Sequence, residues 1–203
     1  MNAFFKPFIL ASNSERRQAL LRQIHADFEL LILPEHLDVE KQQQRHSDES
    51  PKDYAIRLSI EKNRATRTYL STDLPVMTAD TIVALGDEIL GKPDSIDMAR
   101  KMLVQLSGKT HDVITAVTIS VDNQQIKTCS AITQVSFAHL TTSDIDRYLK
   151  TENVFDKAGS YAIQESAALF IERIDGSYSN VVGLPLFETG QLLASLGLLN
   201  TRI

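Results

Sequence analysis

A single aspartate interrupts a long apolar stretch in the first half of this chain. The run from 74 to 85 is rich in branched aliphatic residues, and Asp80 is its only charged member. Such a run predicts a β-strand that is covered on both faces. A carboxylate in that position is costly unless it is paired, hydrogen-bonded or bound to a cation. Asp80 is therefore the first candidate for a functional residue, although an aspartate at a strand end also commonly caps a turn.

Composition limits what kind of protein this chain can be. Its 203 residues suffice for a single domain, with two tightly joined lobes as one possible arrangement. The net charge of −5 argues against general affinity for nucleic acid, so any bound phosphate must meet a local basic pocket. No signal peptide and no apolar run of about eighteen residues is recognisable, which predicts a cytoplasmic protein that does not enter a membrane. Cys129 is the only cysteine, and we expect a small core residue there.

The first strand and helix predict an anion site. An apolar run at 8–11 is followed by a short polar loop, and apolar residues at helical spacing begin after Ser14. Ser14 is a suitable N-cap, so the free N–H groups of the helix start would face the loop. Arg16 and Arg17 follow at once and would add two guanidinium groups. The alternative is that both arginines lie on a solvated helix face.

Two lysines are expected to approach Asp80. Ser50 and Pro51 predict the start of a helix that runs to about residue 70 and places Lys62 on its apolar stripe. Lys62 would then point inward, unless its stem carries the ammonium back to solvent. Gly86 and Asp87 predict a tight hairpin after the Asp80 strand, and the return strand would bring Lys92 toward Asp80.

The second half predicts a hairpin of two long strands, at 113–121 and 126–140, followed by a loop at 155–164 and a strand at 167–174. Gln164 ends the loop. Its amide could read the edge of a nucleotide base because it offers a donor and an acceptor, although an ordinary surface glutamine is the simpler interpretation. The polar loop at 34–50 carries Asp38 and Glu40, either of which could deliver a metal ligand. The histidines are scattered, which argues against a histidine zinc site.

Several segments, in this order along the chain, resemble the Maf family of nucleoside triphosphate pyrophosphatases. The resemblance extends from about residue 8 to about residue 197. The segments that carry it are Leu10–Arg17, Ala79–Val83, Leu90–Pro93, Asp156–Gln164 and Gly176–Leu186.

The resemblance implies an α/β fold, with a mixed elongated sheet in two lobes and a central cleft, like that of the inosine triphosphatases. It also implies a divalent cation, Mg²⁺ or Mn²⁺, a homodimer, and hydrolysis of a nucleoside triphosphate to the monophosphate and pyrophosphate. Threonine after the aspartate and the Gly-Ser-Tyr turn resemble the branch that acts on dTTP and UTP. The branch that acts on methylated GTP tends to carry glutamine after the aspartate.

Site roles carried over from the family follow its motifs residue by residue. Asp80 becomes the catalytic base or metal ligand, with Glu40 as its partner acid and Asp38 as the alternate, because this segment contains an insertion. Lys62 and Lys92 contact the triphosphate, and the loop bearing Ser12 and Ser14 binds phosphate. Arg16 and Arg17 belong to the same phosphate loop. Arg16, Thr81 and Gln164 correspond to the positions that set base selectivity.

The chain departs from the family pattern at two further places. Glu15 stands where proline is usual, so a negative charge lies beside the phosphate loop or turns outward. Glu165 stands where glycine is usual and alters the expected base pocket. Two other classes of function stay open: a nucleotide-binding regulator without catalysis, and a phosphohydrolase that acts on a sugar nucleotide or another phosphoanhydride.

Overall fold

A mixed seven-stranded sheet organises the part of the chain that the computed structural model describes, residues 4–32, 34, 45–122 and 125–200. Its strands lie in the order β2-β1-β3-β5-β6-β7, and β4 also pairs with β3. β1 is parallel to β2 and β3, and the other pairs are antiparallel. The strands are β1 (Phe8–Ala11), β2 (Phe28–Leu31), β3 (Val76–Leu85), β4 (Glu88–Leu90), β5 (Thr110–Ser120), β6 (Ile126–Phe137) and β7 (Ile171–Asp175). The predicted mixed α/β class is confirmed.

The first two helices begin at the serine caps that the sequence predicts, and a third begins in the same way after Ser95. The side chains of Ser14, Ser50 and Ser95 each accept a hydrogen bond from the backbone of the first helical turn. The helices are α1 (Glu15–Gln23), α2 (Pro51–Tyr69), α3 (Ile96–Leu106), α4 (Thr142–Thr151), α5 (Tyr178–Val182) and α6 (Leu186–Ser195). None of the helices in the described ranges is long and apolar enough to cross a bilayer.

Different helices cover the two faces of the sheet, as the packing of alternate residues along β3 shows. Ile82 and Ala84 pack on Ala55 of α2. Met77 and Ala79, on the opposite face, join the main core with residues of α1 and α6. Successive strand residues point to opposite faces, so Asp80 shares the α2 face and Thr81 shares the other.

The predicted hairpin after β3 forms as expected. Gly86 has φ +60°, a conformation that glycine adopts without steric cost, and Val83 pairs with Leu90. On the same edge of β3, pairing with β1 ends at Met77. Asp80 and Thr81 therefore lie on this edge between the two partner strands.

Two sequence predictions need correction. The strand expected at 167–174 begins only at Ile171, because residues 166–170 form a 3₁₀ helix. Within it Ala167 and Phe170 are buried and the two residues between them are exposed, a three-residue period that suits a 3₁₀ turn and not a strand. Cys129 is only partly buried at the edge of the core.

Candidate functional site

Asp80 and Lys62 form an ion pair under α2. Lys62 Nζ lies 2.5 Å from Asp80 Oδ1, and the two side chains are 14% and 2% exposed. Neighbouring polar contacts hold α2 in this register. Asn63 donates to the carbonyl of Val76 at 2.8 Å, and the hydroxyl of Thr78 donates to the carbonyl of Ser59 at 2.8 Å. The predicted inward orientation of Lys62 is therefore observed, and its ammonium does not turn back to solvent.

Arg17 occupies the opposite face of β3 and is held by several acceptors. Its Nε donates to the carbonyl of Gly183 and its Nη2 to Thr81 Oγ1, both at 2.9 Å. Nη1 lies 3.4 Å from Ser12 Oγ, which also accepts from the backbone N–H of Ser14 at 3.2 Å. The arginine thus ties the loop after β1 to β3 and to the segment after α5. It is not a freely solvated arginine of a helix surface.

A cavity of about 710 Å³, including space open to solvent, lies on this second face. Apolar side chains form much of its wall: Val83, Val113, Ala158, Ala162, Ile163, Val181 and Val182. Polar and charged residues also line it: Ser14, Arg16, Arg17, Thr81, Lys92, Asp156, Lys157, Tyr161 and Gln164. A flat apolar group with an anionic tail suits such a lining.

The hairpin brings Lys92 to this cavity. β4 ends in register with Val83, and Lys92 follows two residues later as an exposed lining residue. The carbonyl of Gly91 also accepts a hydrogen bond from the N–H of Gly159 at 3.1 Å, which joins the end of β4 to the loop that carries Gln164. Gln164 is exposed at the cavity.

Lys157 links charges along that loop. Its side chain is 4% exposed, and its Nζ lies 2.9 Å from Asp156 Oδ1 and 3.2 Å from Glu165 Oε1. Asp156 also pairs with Arg16, at 3.1 Å. Burial alone would raise the pKa of Asp156, but Lys157 and Arg16 together hold that pKa below its usual value. The unusual Glu165 is thus paired, while the unusual Glu15 is exposed.

The predicted partner acid cannot be placed, because Glu40 and its alternate Asp38 lie outside the described residues. Within the described ranges no group of three or more His, Cys, Asp or Glu side chains is arranged to hold a metal. Asp80 nevertheless fits the usual protein contribution to a Mg²⁺ site, which is one or two carboxylates completed by water and substrate phosphates.

The structure therefore divides the predicted residues between two faces of one strand. Lys62 and Asp80 lie on the α2 face. The other predicted site residues within the described ranges lie at or beside the cavity: Ser12, Ser14, Arg16, Arg17, Thr81, Lys92 and Gln164. The two sets are adjacent because Asp80 and Thr81 are neighbours on the same edge of β3. Sequence reasoning missed the roles of Lys157 and of Thr115, whose hydroxyl contacts Thr81. Residues 113–120 of β5 are all buried, so no alternation of apolar and polar residues indicated the face on which Thr115 lies.

Comparisons with known proteins agree with these features. A dTTP/UTP pyrophosphatase of Escherichia coli (strain K12) is 44% identical over 193 residues, which cover 95% of this chain and 94% of that protein. A dTTP/UTP pyrophosphatase of Shigella dysenteriae serotype 1 (strain Sd197) is 43% identical with the same coverage. The Ham1 protein of Staphylococcus aureus has a TM-score of 0.49 and 12% identity over 95% of this chain and 98% of its own, too distant to support a conclusion. The model of the Maf family, described as Maf-like protein, matches residues 7–196, and this chain therefore belongs to the Maf family.

Proposed function

We propose that this protein is a nucleoside triphosphate pyrophosphatase that hydrolyses dTTP and UTP to the monophosphate and pyrophosphate. The relatives named for that activity match nearly the whole chain. The observation that carries the proposal is the juxtaposition on β3: Asp80, paired with Lys62, adjoins Thr81, which lines an apolar cavity with a basic rim. A pyrimidine base suits the apolar wall and a triphosphate suits the cations.

The reaction is attack of water on the α-phosphorus. A bond forms between the water oxygen and phosphorus, the bond to the bridging α–β oxygen breaks, and pyrophosphate leaves. Asp80 accepts the proton of the attacking water, and Lys62 stabilises the negative charge that develops on the phosphoryl oxygens. Arg16, Arg17 and Lys92 orient the triphosphate.

A divalent cation, Mg²⁺ or Mn²⁺, belongs to this proposal. Asp80 would hold it together with Glu40 or, in its place, Asp38, and substrate phosphates would complete its coordination. When bound, the cation neutralises charge on the triphosphate and on the departing pyrophosphate. We also propose that the protein is a cytoplasmic homodimer, and light scattering of the purified protein tests whether it is a dimer.

Product analysis distinguishes the proposed activity from the alternatives. The protein is incubated with dTTP, UTP, CTP, GTP, methylated GTP and a sugar nucleotide, each with Mg²⁺ or Mn²⁺, and products are separated by ion exchange. We expect monophosphate and pyrophosphate from dTTP and UTP. Preference for methylated GTP would move the protein to the other branch. Binding without any product would indicate a regulator, and cleavage of the sugar nucleotide alone would indicate another phosphohydrolase.

Replacing Asp80 with Asn tests the catalytic assignment. The variant keeps the shape of the side chain but removes the base, and we expect the rate of dTTP hydrolysis to fall on the order of a hundredfold. Asp73→Asn is a matched control, because Asp73 is exposed just before β3. A folded Asp80→Asn protein, verified by circular dichroism, that hydrolyses dTTP at the parental rate would contradict the assignment.

A further inference from the structure

A chain of hydrogen bonds crosses the sheet beneath the cavity. Thr81 of β3 and Thr115 of β5 are directly opposite in the antiparallel register, with their hydroxyl oxygens 2.9 Å apart. Arg17 Nη2 lies 2.9 Å from Thr81 Oγ1, and Thr115 Oγ1 lies 3.1 Å from the backbone carbonyl oxygen of Asn180. This hydrogen-bond chain therefore has the guanidinium of Arg17 at one end and the carbonyl of Asn180 at the other.

These two ends determine which way every hydrogen points. Arg17 has no acceptor atom, so Thr81 Oγ1 accepts from it. The carbonyl of Asn180 has no hydrogen, so Thr115 donates its only hydroxyl hydrogen there. Thr115 Oγ1 must then accept from Thr81, and a reversed arrangement would leave one of the contacts without a hydrogen.

Asn180, whose carbonyl accepts the last hydrogen bond of the series, is held in place by further hydrogen bonds. Asn180 is fully buried, and its side-chain amide donates to the carbonyl of Val113 and to Thr133 Oγ1, both at 2.9 Å. Thr115 is also fully buried. Thr115 is therefore out of reach of a ligand and acts only through Thr81.

The consequence for the cavity is a fixed polarity at Thr81. Its single hydrogen is used by Thr115, so Thr81 Oγ1 can offer a bound molecule a lone pair and no hydrogen. Gly183 lies beside this oxygen: a Cβ there would be in ordinary van der Waals contact with Thr81 Oγ1, at 3.4 Å, and the φ of +121° favours glycine at this position.

We propose that Thr115 is a positioning residue for base selection, which makes Thr81 an acceptor that reads an N–H group of the pyrimidine. The inference rests on the proposed function and names the chemical feature of the substrate that the site recognises. Uracil and thymine carry a hydrogen on N3, whereas cytosine carries a lone pair there. Because Thr81 can only accept a hydrogen bond, it bonds to N3–H of uracil or thymine. With cytosine, the lone pair of Thr81 Oγ1 would face the lone pair on N3.

Replacing Thr115 with Val tests this role, because valine keeps the shape and removes the acceptor for the Thr81 hydrogen. Thr81 can then rotate and donate to N3 of cytosine. We expect the ratio of kcat/KM for UTP to that for CTP to fall by at least about tenfold, the effect of one mispaired polar group. A defect of packing alone would lower both values and leave the ratio unchanged.

Two further variants sharpen this comparison. Thr115→Ser retains the hydroxyl and should keep the parental ratio. Thr118→Val removes another fully buried hydroxyl of β5, which contacts Ser59 and Thr128 at 2.7 and 2.9 Å, and it should also keep the ratio. An unchanged ratio in folded Thr115→Val, or the same change in Thr118→Val, overturns the inference.

A measurement on the unaltered protein covers the case in which Thr115→Val does not fold. UTP methylated on N3 lacks the hydrogen that Thr81 would accept, so its kcat/KM should be at least about tenfold below that of UTP. Equal values would overturn the inference while leaving the pyrophosphatase proposal intact. Failure of the unaltered protein to hydrolyse dTTP and UTP would instead overturn the proposed function, and this inference with it.

Discussion

Lys62 and Asp80 are the residues whose charges depend most directly on each other. Their side chains are 14% and 2% exposed, so removing one partner leaves a charge that water cannot solvate well. We expect Lys62→Met to lower the free energy of unfolding by roughly 3–5 kcal/mol, measured by urea denaturation.

The double variant Lys62→Met with Asp80→Asn is the control for that measurement. It removes both charges and should recover much of the lost stability without recovering dTTP hydrolysis. If Lys62→Met were as stable as the parent, the charge of Asp80 would not need the ammonium of Lys62. Asp80 would then not be held there as a charged group.

At the scale of elements, the loop around the 3₁₀ turn Ala158–Ser160 shapes the cavity wall. Gly159 within it has φ +66°, and a Cβ there would lie 3.0 Å from Cγ1 of Val83. Gly159→Ala should therefore cost about 1–3 kcal/mol of stability, because the backbone is strained and the turn must move from β3. The displaced turn should also weaken nucleotide binding, which isothermal titration can measure.

Gly91→Ala is the matched control for this element. A Cβ at Gly91 would meet no atom within 4 Å, and its φ is outside the left-handed region. Its carbonyl, which accepts from Gly159, is retained. Equal effects of the two substitutions would show that the fit of the turn against β3 does not matter.

At the scale of the whole molecule, His111 makes stability depend on pH. Its ring is 2% exposed, contacts Phe137 edge-on at 5.1 Å between ring centres, and lies 2.7 Å from the hydroxyl of Tyr161 through Nε2. Burial lowers the pKa of His111 to about 4 from an ordinary value of 6.5. Between these values the unfolded chain binds the proton and the folded chain does not, so stability falls as the pH falls from about 6.5 to about 4.

The contribution of His111 can be isolated by urea denaturation at pH 7.5 and pH 5. His111→Gln should lose about 2 kcal/mol less stability between these two conditions than the parent does, because glutamine does not titrate. The exposed His139 provides the control, and His139→Gln should lose as much as the parent. The same loss in all three proteins would contradict the role of burial.

Much of the fold follows from local patterns in the sequence. The serine caps of α1 and α2 and the glycine of the β3–β4 turn depend on residues close together in the chain, so their positions were predicted correctly. The segment at 166–170 was predicted incorrectly, because five residues are too few to distinguish the three-residue period of a 3₁₀ helix from the two-residue period of a strand.

The sequence by itself placed Asp80 in an apolar strand and Lys62 on the apolar stripe of α2, and its ordered motifs are those of the Maf family. The tertiary structure alone decided that Lys62 pairs with Asp80 on one face of β3 and that the hydroxyls of Thr81 and Thr115 meet on the other. The physical reason is the range of the interactions. Caps and turns depend on neighbours in the chain, whereas the direction of a hydrogen-bond chain depends on partners that only the sheet order brings within 3 Å or so of one another.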